Sequence, residues 1–308
     1  MRPRLRPVAL ALTVLFAATP LLASRQAEDS KDPRHGFWRS LGGARTLLLE
    51  EGRAGWLVDG KPSFYRVREA GEDRLTFESW GRETTYEMHM DEAQLHVIGG
   101  GIDYNFERIE TLPSALRVEP YELPEPFAVD AGLVKDLAAE LAERRKEDQR
   151  VRTEARASGQ PSEMGRVDAD NTDFVLNVIR ELGWVDATRF GVEASDAAFL
   201  IVQHTSDMRL MRTALPHIEA DVRAGKMSGQ NFALMFDRMQ LNLGYEQRYG
   251  SQIGAVDGAS VLMPCEDIAR VDEFRAEMRM GPLAEYLEYF RDEGDPPVRH
   301  IGRGALPR

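Results

Sequence analysis

Apolar and polar positions alternate with a period of two through the first part of the chain and with a helical period through the rest. Leu75, Phe77 and Ser79 alternate with Thr76, Glu78 and Trp80, and Tyr86, Met88 and Met90 with Thr85, Glu87 and His89. The pattern predicts seven strands: Thr46–Glu50, Gly55–Val58, Ser63–Arg68, Arg74–Trp80, Thr84–Met90, Gln94–Ile98 and Ile102–Ile109. Turn chemistry separates them at Glu51-Gly52, Asp59-Gly60, Ala70 to Asp73 and Gly99-Gly100-Gly101. Trp38 stands just before the first strand. Strands joined this way form an antiparallel meander that curls into a small barrel over residues 35–118.

Three prolines between Glu119 and Pro126 mark a linker over 119–130. A helix then follows from Ala131 to Ala157. Its stripe of Val134, Leu137 and Leu141 continues onto Asp148 and Arg152, with Gln149 to one side. Asp168 to Asn171 supplies caps for a helix ending at Leu182, before Gly183-Trp184. Ser195 caps an apolar segment that ends in Gln203-His204. Ser206 or Asp207 opens a helix interrupted or restarted at Pro216, and Ser228 caps one over Asn231–Leu243. On that last helix Asp237 and Arg238 flank the strip of Leu234 and Leu241. Gln247 to Ile253 and Ser260 to Met263 read as a hairpin, with Gln247, Tyr249 and Ser251 on one face and Arg248 and Gln252 on the other. A final helical region reaches Phe290, and residues 294–308 read as a flexible tail. The expected class is therefore α+β in two domains: the β barrel, and a mainly α-helical domain over 131–293 carrying a β-hairpin.

Asp148-Gln149 with Arg152, Asp168 with Asn171, Gly183-Trp184, Gln203-His204, Gly225, Asp237-Arg238 and Gln247-x-Tyr249-Gly250-Ser251-Gln252 occur in an order that resembles an uncharacterised bacterial domain of unknown function. That family reads D-Q-x-x-R … D-x-x-N … G-W … Q-H … D-R … Q-x-Y-G-T-Q; this chain has Ser251 at the threonine. The resemblance implies a domain and a candidate site, and no reaction. The β half is loosely similar to lipocalin-like barrels of exported bacterial proteins; such a barrel either is filled and serves as a spacer or docking module, the favoured reading, or holds a small apolar ligand.

The start of the chain carries an address. Arg2, Arg4 and Arg6 precede the apolar run Val8 to Ala18 and then Leu21-Leu22-Ala23, the order of a secretory signal peptide over residues 1–23. Cleavage there removes three arginines and takes the net charge from −12 to −15. No later stretch is apolar enough to span a bilayer, so an exported, periplasmic or secreted protein is expected. The acidic balance argues against nucleic acid as a partner. Hydrophobic content of 43% excludes wholesale disorder.

The single cysteine, Cys265, excludes an intramolecular disulfide framework and a cysteine-cluster metal site. It has no activating histidine signposted beside it. His89 and His96 lack a third metal ligand, and no metal site or cofactor is named. The P-loop, dinucleotide, G-x-S-x-G and H-E-x-x-H motifs are absent from the sequence.

The polar set of the helical half supports two readings. As a site, His204 is the general acid/base, Asp148 or Asp237 orients it, and Tyr249 donates to developing negative charge. Arg152 and Arg238 hold a phosphate or carboxylate, and Gln149, Asp168, Asn171, Gln203, Gln247 and Gln252 contribute to ligand binding. As a satisfied polar core, the same residues pair with one another. The expected function is an exported cell-envelope module that binds a small-molecule or protein ligand at a polar cleft. The alternative is a hydrolase- or transferase-like enzyme acting on an anionic small substrate.

Overall fold

Eight antiparallel strands close into an up-and-down barrel: β1 (Gly36–Ser40), β2 (Arg45–Glu50), β3 (Arg53–Val58), β4 (Lys61–Gly71), β5 (Arg74–Ser79), β6 (Arg82–Asp91), β7 (Gln94–Gly99) and β8 (Ile102–Ile109). They belong to a computed structural model that describes residues 32–91, 93–159, 163–256, 258–291 and 298–300. The expected signal peptide lies outside the described residues. The barrel has one strand more than the seven expected. β1 pairs with both ends of the meander, placing Phe37 opposite Leu48 of β2 and Ile109 of β8. Five residues, Gly-Phe-Trp-Arg-Ser, are too few to display alternation, and the pairing that makes them a strand comes from residues 70 positions away in sequence as well as from neighbours. Closure removes the exposed edges that an open meander would leave.

The closed barrel agrees with the lipocalin-like resemblance, and its interior is filled. Trp38, Leu47, Leu49, Trp56, Leu75, Phe77, Met88, Leu95, Val97 and Phe106 form one buried cluster. Trp56 lies at the centre of an aromatic group, with ring centroids 5.7 Å from Phe106 and 6.1 Å from Tyr86. Leu48 and Phe64 face the other way and join the core of the helical half through Leu116 and Val118, around α1 (Ser114–Arg117).

The proline-rich segment is laid against the helices. The Tyr121 amide donates to Thr213 Oγ1 at 2.8 Å and its hydroxyl to Asp207 at 2.7 Å, while Arg209 Nε donates to the Glu119 carbonyl. Side-chain donors and acceptors from one helix thus meet backbone groups of a stretch that has no sheet or helix partners of its own.

Asp130 caps α2 (Ala131–Ser158) by accepting from the Gly132 and Leu133 amides, and Gly159 ends it in the left-handed conformation. α3 (Met164–Leu182) begins before Asp168, so Asp168 and Asn171 sit inside it and do not cap it. α4 (Val192–His204) likewise starts ahead of Ser195, whose hydroxyl is buried and donates to Asp221. Asp207 caps α5 (Met208–Arg223), which runs through Pro216 without interruption, and Ser228 caps α6 (Gly229–Asn242).

The expected hairpin is shorter than the sequence suggests. β9 (Ile253–Val256) and β10 (Ala259–Leu262) pair, but 247–252 is an irregular loop, not a strand. α7 (Val271–Glu277) and α8 (Leu283–Glu288) complete the helices. In the stretch expected to be a loose tail, β11 (Arg299–His300) pairs parallel with β10. Among the described residues no helix is long and apolar enough to cross a membrane.

Candidate functional site

α2 crosses α4 so that the polar end of the α2 stripe meets the C-terminus of α4. Leu137 and Leu141 enter the core, and Asp148, seven residues on, is fully buried on the same face. Its Oδ1 lies 2.9 Å from His204 Nδ1, and Gln149 donates to its Oδ2 at 2.8 Å. Arg152, one turn further, spans the group: its Nη2 is 3.1 Å from Asp148 Oδ1 and is paired with Asp168 Oδ1. Arg152 Nε also lies 3.0 Å from His204 Nδ1.

That last contact matters chemically. Nδ1 stands between an acceptor, Asp148, and a donor, Arg152, and it serves one at a time. Carrying a proton, it donates to Asp148; without one, it accepts from Arg152. Either proton position has a partner in place. No hydrogen bond reaches His204 Nε2 among the described residues, and the side chain retains 13% of its exposure.

Arg238 of α6 completes the group from a fourth helix. Its Nη1 donates to the Gln203 carbonyl at 3.0 Å, beside His204, and its Nε reaches Gln252 Oε1 at 3.5 Å. No carboxylate pairs with it among the described residues, although Arg152 next to it has two. Burial, with help from the charge of Arg152, lowers the Arg238 pKa from its ordinary value. Burial also opposes ionisation of Asp148. Hydrogen bonds from His204 and Gln149 and the charges of His204 and Arg152 outweigh that and hold its carboxyl below the ordinary value. Asp168 goes the other way, raised by burial and by the neighbouring Asp148 against the pull of Arg152 and His204.

The remaining members of the polar set lie elsewhere. Asp237, fully buried, points its carboxylate into the 247–252 loop. Oδ1 accepts from the Arg248 and Tyr249 amides at 2.8 and 3.1 Å, and Oδ2 from Ser251 at 2.9 Å. Burial pushes its pKa up to about 6 against these hydrogen bonds. Gln247 Nε2 donates to the Gln252 and Met263 carbonyls, and its Oε1 accepts from the Gln252 amide. Gln252 Nε2 returns to the Leu234 carbonyl. Tyr249 is set among Phe232 and Phe236, and burial pushes its phenol up to about 12.

These contacts brace a loop, and none of Asp237, Gln247 and Tyr249 hydrogen-bonds to His204 among the described residues. Asn171 also stands apart, with its Oδ1 accepting from Arg144 and its buried Nδ2 without a partner among the described residues.

Two braces escaped the sequence reading. Arg275, buried on α7, donates to the Tyr249 and Gly281 carbonyls, and the Tyr286 hydroxyl donates to the Ser251 carbonyl. An arginine and a tyrosine in a charged helical stretch carry no local sign of such roles. Cys265 is buried and its thiol is pushed up to about 12, chiefly by desolvation. Among the described residues no group of three or more His, Cys, Asp or Glu side chains is arranged to hold a metal ion. His89 and His96 are cross-strand neighbours on β6 and β7, each beside its own aspartate, Asp73 and Asp103.

A family model described as "Family of unknown function (DUF6624)" matches residues 135–295, just over half of the chain. The match spans α2 to α8 and includes Asp148, Arg152, Asp168, His204 and Arg238. No curated protein and no solved structure matches the chain.

Proposed function

The chain belongs to the Family of unknown function (DUF6624), and we propose that its helical half binds a small anion, a carboxylate or a phosphate, between Arg238, Arg152 and His204. Arg238 carries this reading. It is a half-buried guanidinium that donates to a backbone carbonyl and forms no ion pair with a carboxylate among the described residues. A cation taken partly out of water without a paired carboxylate is costly, and an anionic ligand relieves that cost. Arg152 is already matched by Asp148 and Asp168, so it positions the group while Arg238 supplies the unmatched charge. Planar guanidinium forks suit carboxylate and phosphate oxygens alike.

Titration calorimetry with inorganic phosphate and with succinate, at constant ionic strength, tests the reading. Saturable binding is expected, weakened roughly tenfold or more by Arg238→Gln. Absence of saturation with both anions, or affinity indifferent to Arg238→Gln, removes it.

A second reading has its own observation. His204 has one ring nitrogen held by Asp148 and the other unbonded among the described residues, the arrangement of a general acid/base. On this reading the bound anion is a substrate, and a hydrolase- or transferase-like activity disappears in His204→Asn while anion binding persists.

The charge and apolar order of residues 1–23 support export of the protein to the periplasm or medium. Cell fractionation with N-terminal sequencing of the recovered chain tests it: an intact N-terminus on cytoplasmic protein refutes export.

A further inference from the structure

A cleft of about 610 Å³ opens where the barrel meets the helical half, away from His204. Glu51, Arg53 and Arg66 line it from the barrel, and Gln240, Tyr245 and Glu246 from the end of α6 and the loop beyond. Two polar atoms in this wall are buried and have no hydrogen-bond partner among the described residues. One is a donor, Arg53 Nη2, and the other an acceptor, Gln240 Oε1.

Both belong to one small piece of structure. Arg53 Nε donates to the Leu243 carbonyl at 2.7 Å, and the Gln240 carbonyl accepts from the Leu243 and Tyr245 amides. The Arg53 guanidinium is clamped between the rings of Phe64 and Tyr245, 4.7 and 4.9 Å from their centroids, and its Nη1 is held by Glu50. The side chain is therefore fixed in place with one edge unmet.

Charge defines what suits the cleft. Five glutamates line it against three arginines, and four of the five are already paired: Glu78 and Glu246 with Arg66, Glu83 with Arg68 and Glu266 with Arg248. Arg66 and Arg68 are engaged by Glu78 and Glu83, whereas Glu51, exposed at the rim, has no ion pair among the described residues. An unmet guanidinium edge beside one unpaired carboxylate, Glu51, calls for opposite charges on one molecule. A lone anion would leave Glu51 unmatched, and a lone cation would leave Arg53 unmet.

We propose that this junction cleft binds a small zwitterion, a free α-amino acid or a dipeptide. The carboxylate meets the unmet Nη2 edge of Arg53 in the cleft wall. The ammonium meets Gln240 Oε1 and Glu51 at the rim. The cleft volume lies within the range of small-molecule pockets, about 300–1,000 Å³. This site is independent of the anion site at Arg238.

The test is ligand-observed NMR and calorimetry on the whole chain with free amino acids and glycyl dipeptides as probes, beside their C-terminal amides and N-acetyl derivatives. Saturable binding of at least one free form is expected, with both capped forms weaker by roughly tenfold or more. Glu51→Gln, at an exposed turn that leaves folding intact, is expected to weaken the free form, and Gln240→Leu to weaken it further. Arg238→Gln is expected to leave it unchanged. Binding by none of the free forms, equal binding of the capped forms, indifference to Glu51→Gln, or loss in Arg238→Gln would each overturn the proposal.

Discussion

Asp148 Oδ1 and His204 Nδ1 lie 2.9 Å apart across 56 residues of sequence, with the aspartate fully buried and the histidine at the surface end of the contact. Everything else in the charge group is arranged around this pair. Asp148→Asn is expected to destabilise the protein by about 3 kcal/mol at neutral pH, the scale for breaking a buried pair. Because the Asp148 pKa is lowered from 3.8, its contribution is present above that value and is lost as pH falls through the lower native value. Denaturant unfolding of wild type and Asp148→Asn should therefore show a gap that is constant near neutrality and closes below about pH 4. A gap that widens on acidification contradicts the assignment.

Asp237 is expected to behave as a fold determinant. Its carboxylate accepts three amides of the 247–252 loop, and an Asn substitution would turn one acceptor into a donor facing N–H groups. Asp237→Asn should lose about 3 kcal/mol, and hydrogen exchange at the Arg248, Tyr249 and Ser251 amides should accelerate more than elsewhere. Protection unchanged at those amides would separate Asp237 from the loop.

Gly244 holds the two halves together by having no side chain. Its φ is +80°, and a Cβ there would sit 2.5 Å from the Tyr65 carbonyl oxygen on β4. Nearby, Trp80 Nε1 donates to Asn242 Oδ1 at 2.7 Å. Gly244→Ala is expected to cost about 2–4 kcal/mol through backbone strain and steric displacement. Calorimetry should show the change as a broadened or split transition, since the barrel has its own core and the substitution strikes the junction. A shift below ~0.5 kcal/mol would mean the backbone gives way freely there.

Trp38 carries the closure of the barrel. It is fully buried, its indole donates to the Arg34 carbonyl at 2.8 Å, and Arg108 of β8 covers its ring. Trp38→Ala should lose about 3–5 kcal/mol. The loss should appear as faster exchange in β1 and β8 before β4 and β5, because only the former pair across the seam.

Cys265 is expected to be inert. With burial pushing its pKa up to about 12, almost no thiolate exists at neutral pH. Native protein should react with a disulfide reagent only at the rate of unfolding, and fully in denaturant. Rapid labelling of the native chain would exclude this environment.

Local chemistry in the chain determined a good part of this protein. The alternation of β5 and β6, the Ser228 cap and the position of Asp148 on the α2 stripe all follow from residues a few places apart. Helical and strand periods and caps are short-range, so sequence displays them. The ordered polar motifs also marked the matched family.

Tertiary structure decided the rest. β1 is a strand because distant β8 pairs with it. α3 and α4 begin earlier than Asp168 and Ser195 because those polar side chains find partners inside the fold, Arg152 and Asp221. Gln247 to Gln252 looked like a strand by alternation, yet Asp237 and Arg275 draw its backbone groups into a loop. The polar set itself divides: Asp148, Arg152, Asp168, His204 and Arg238 converge, while Asp237, Gln247 and Tyr249 brace. A carboxylate buried by burial pattern alone has no stated partner until the chain is folded. Which hydrogen-bond donors reach it is fixed by helix crossings and loop paths that no local period encodes.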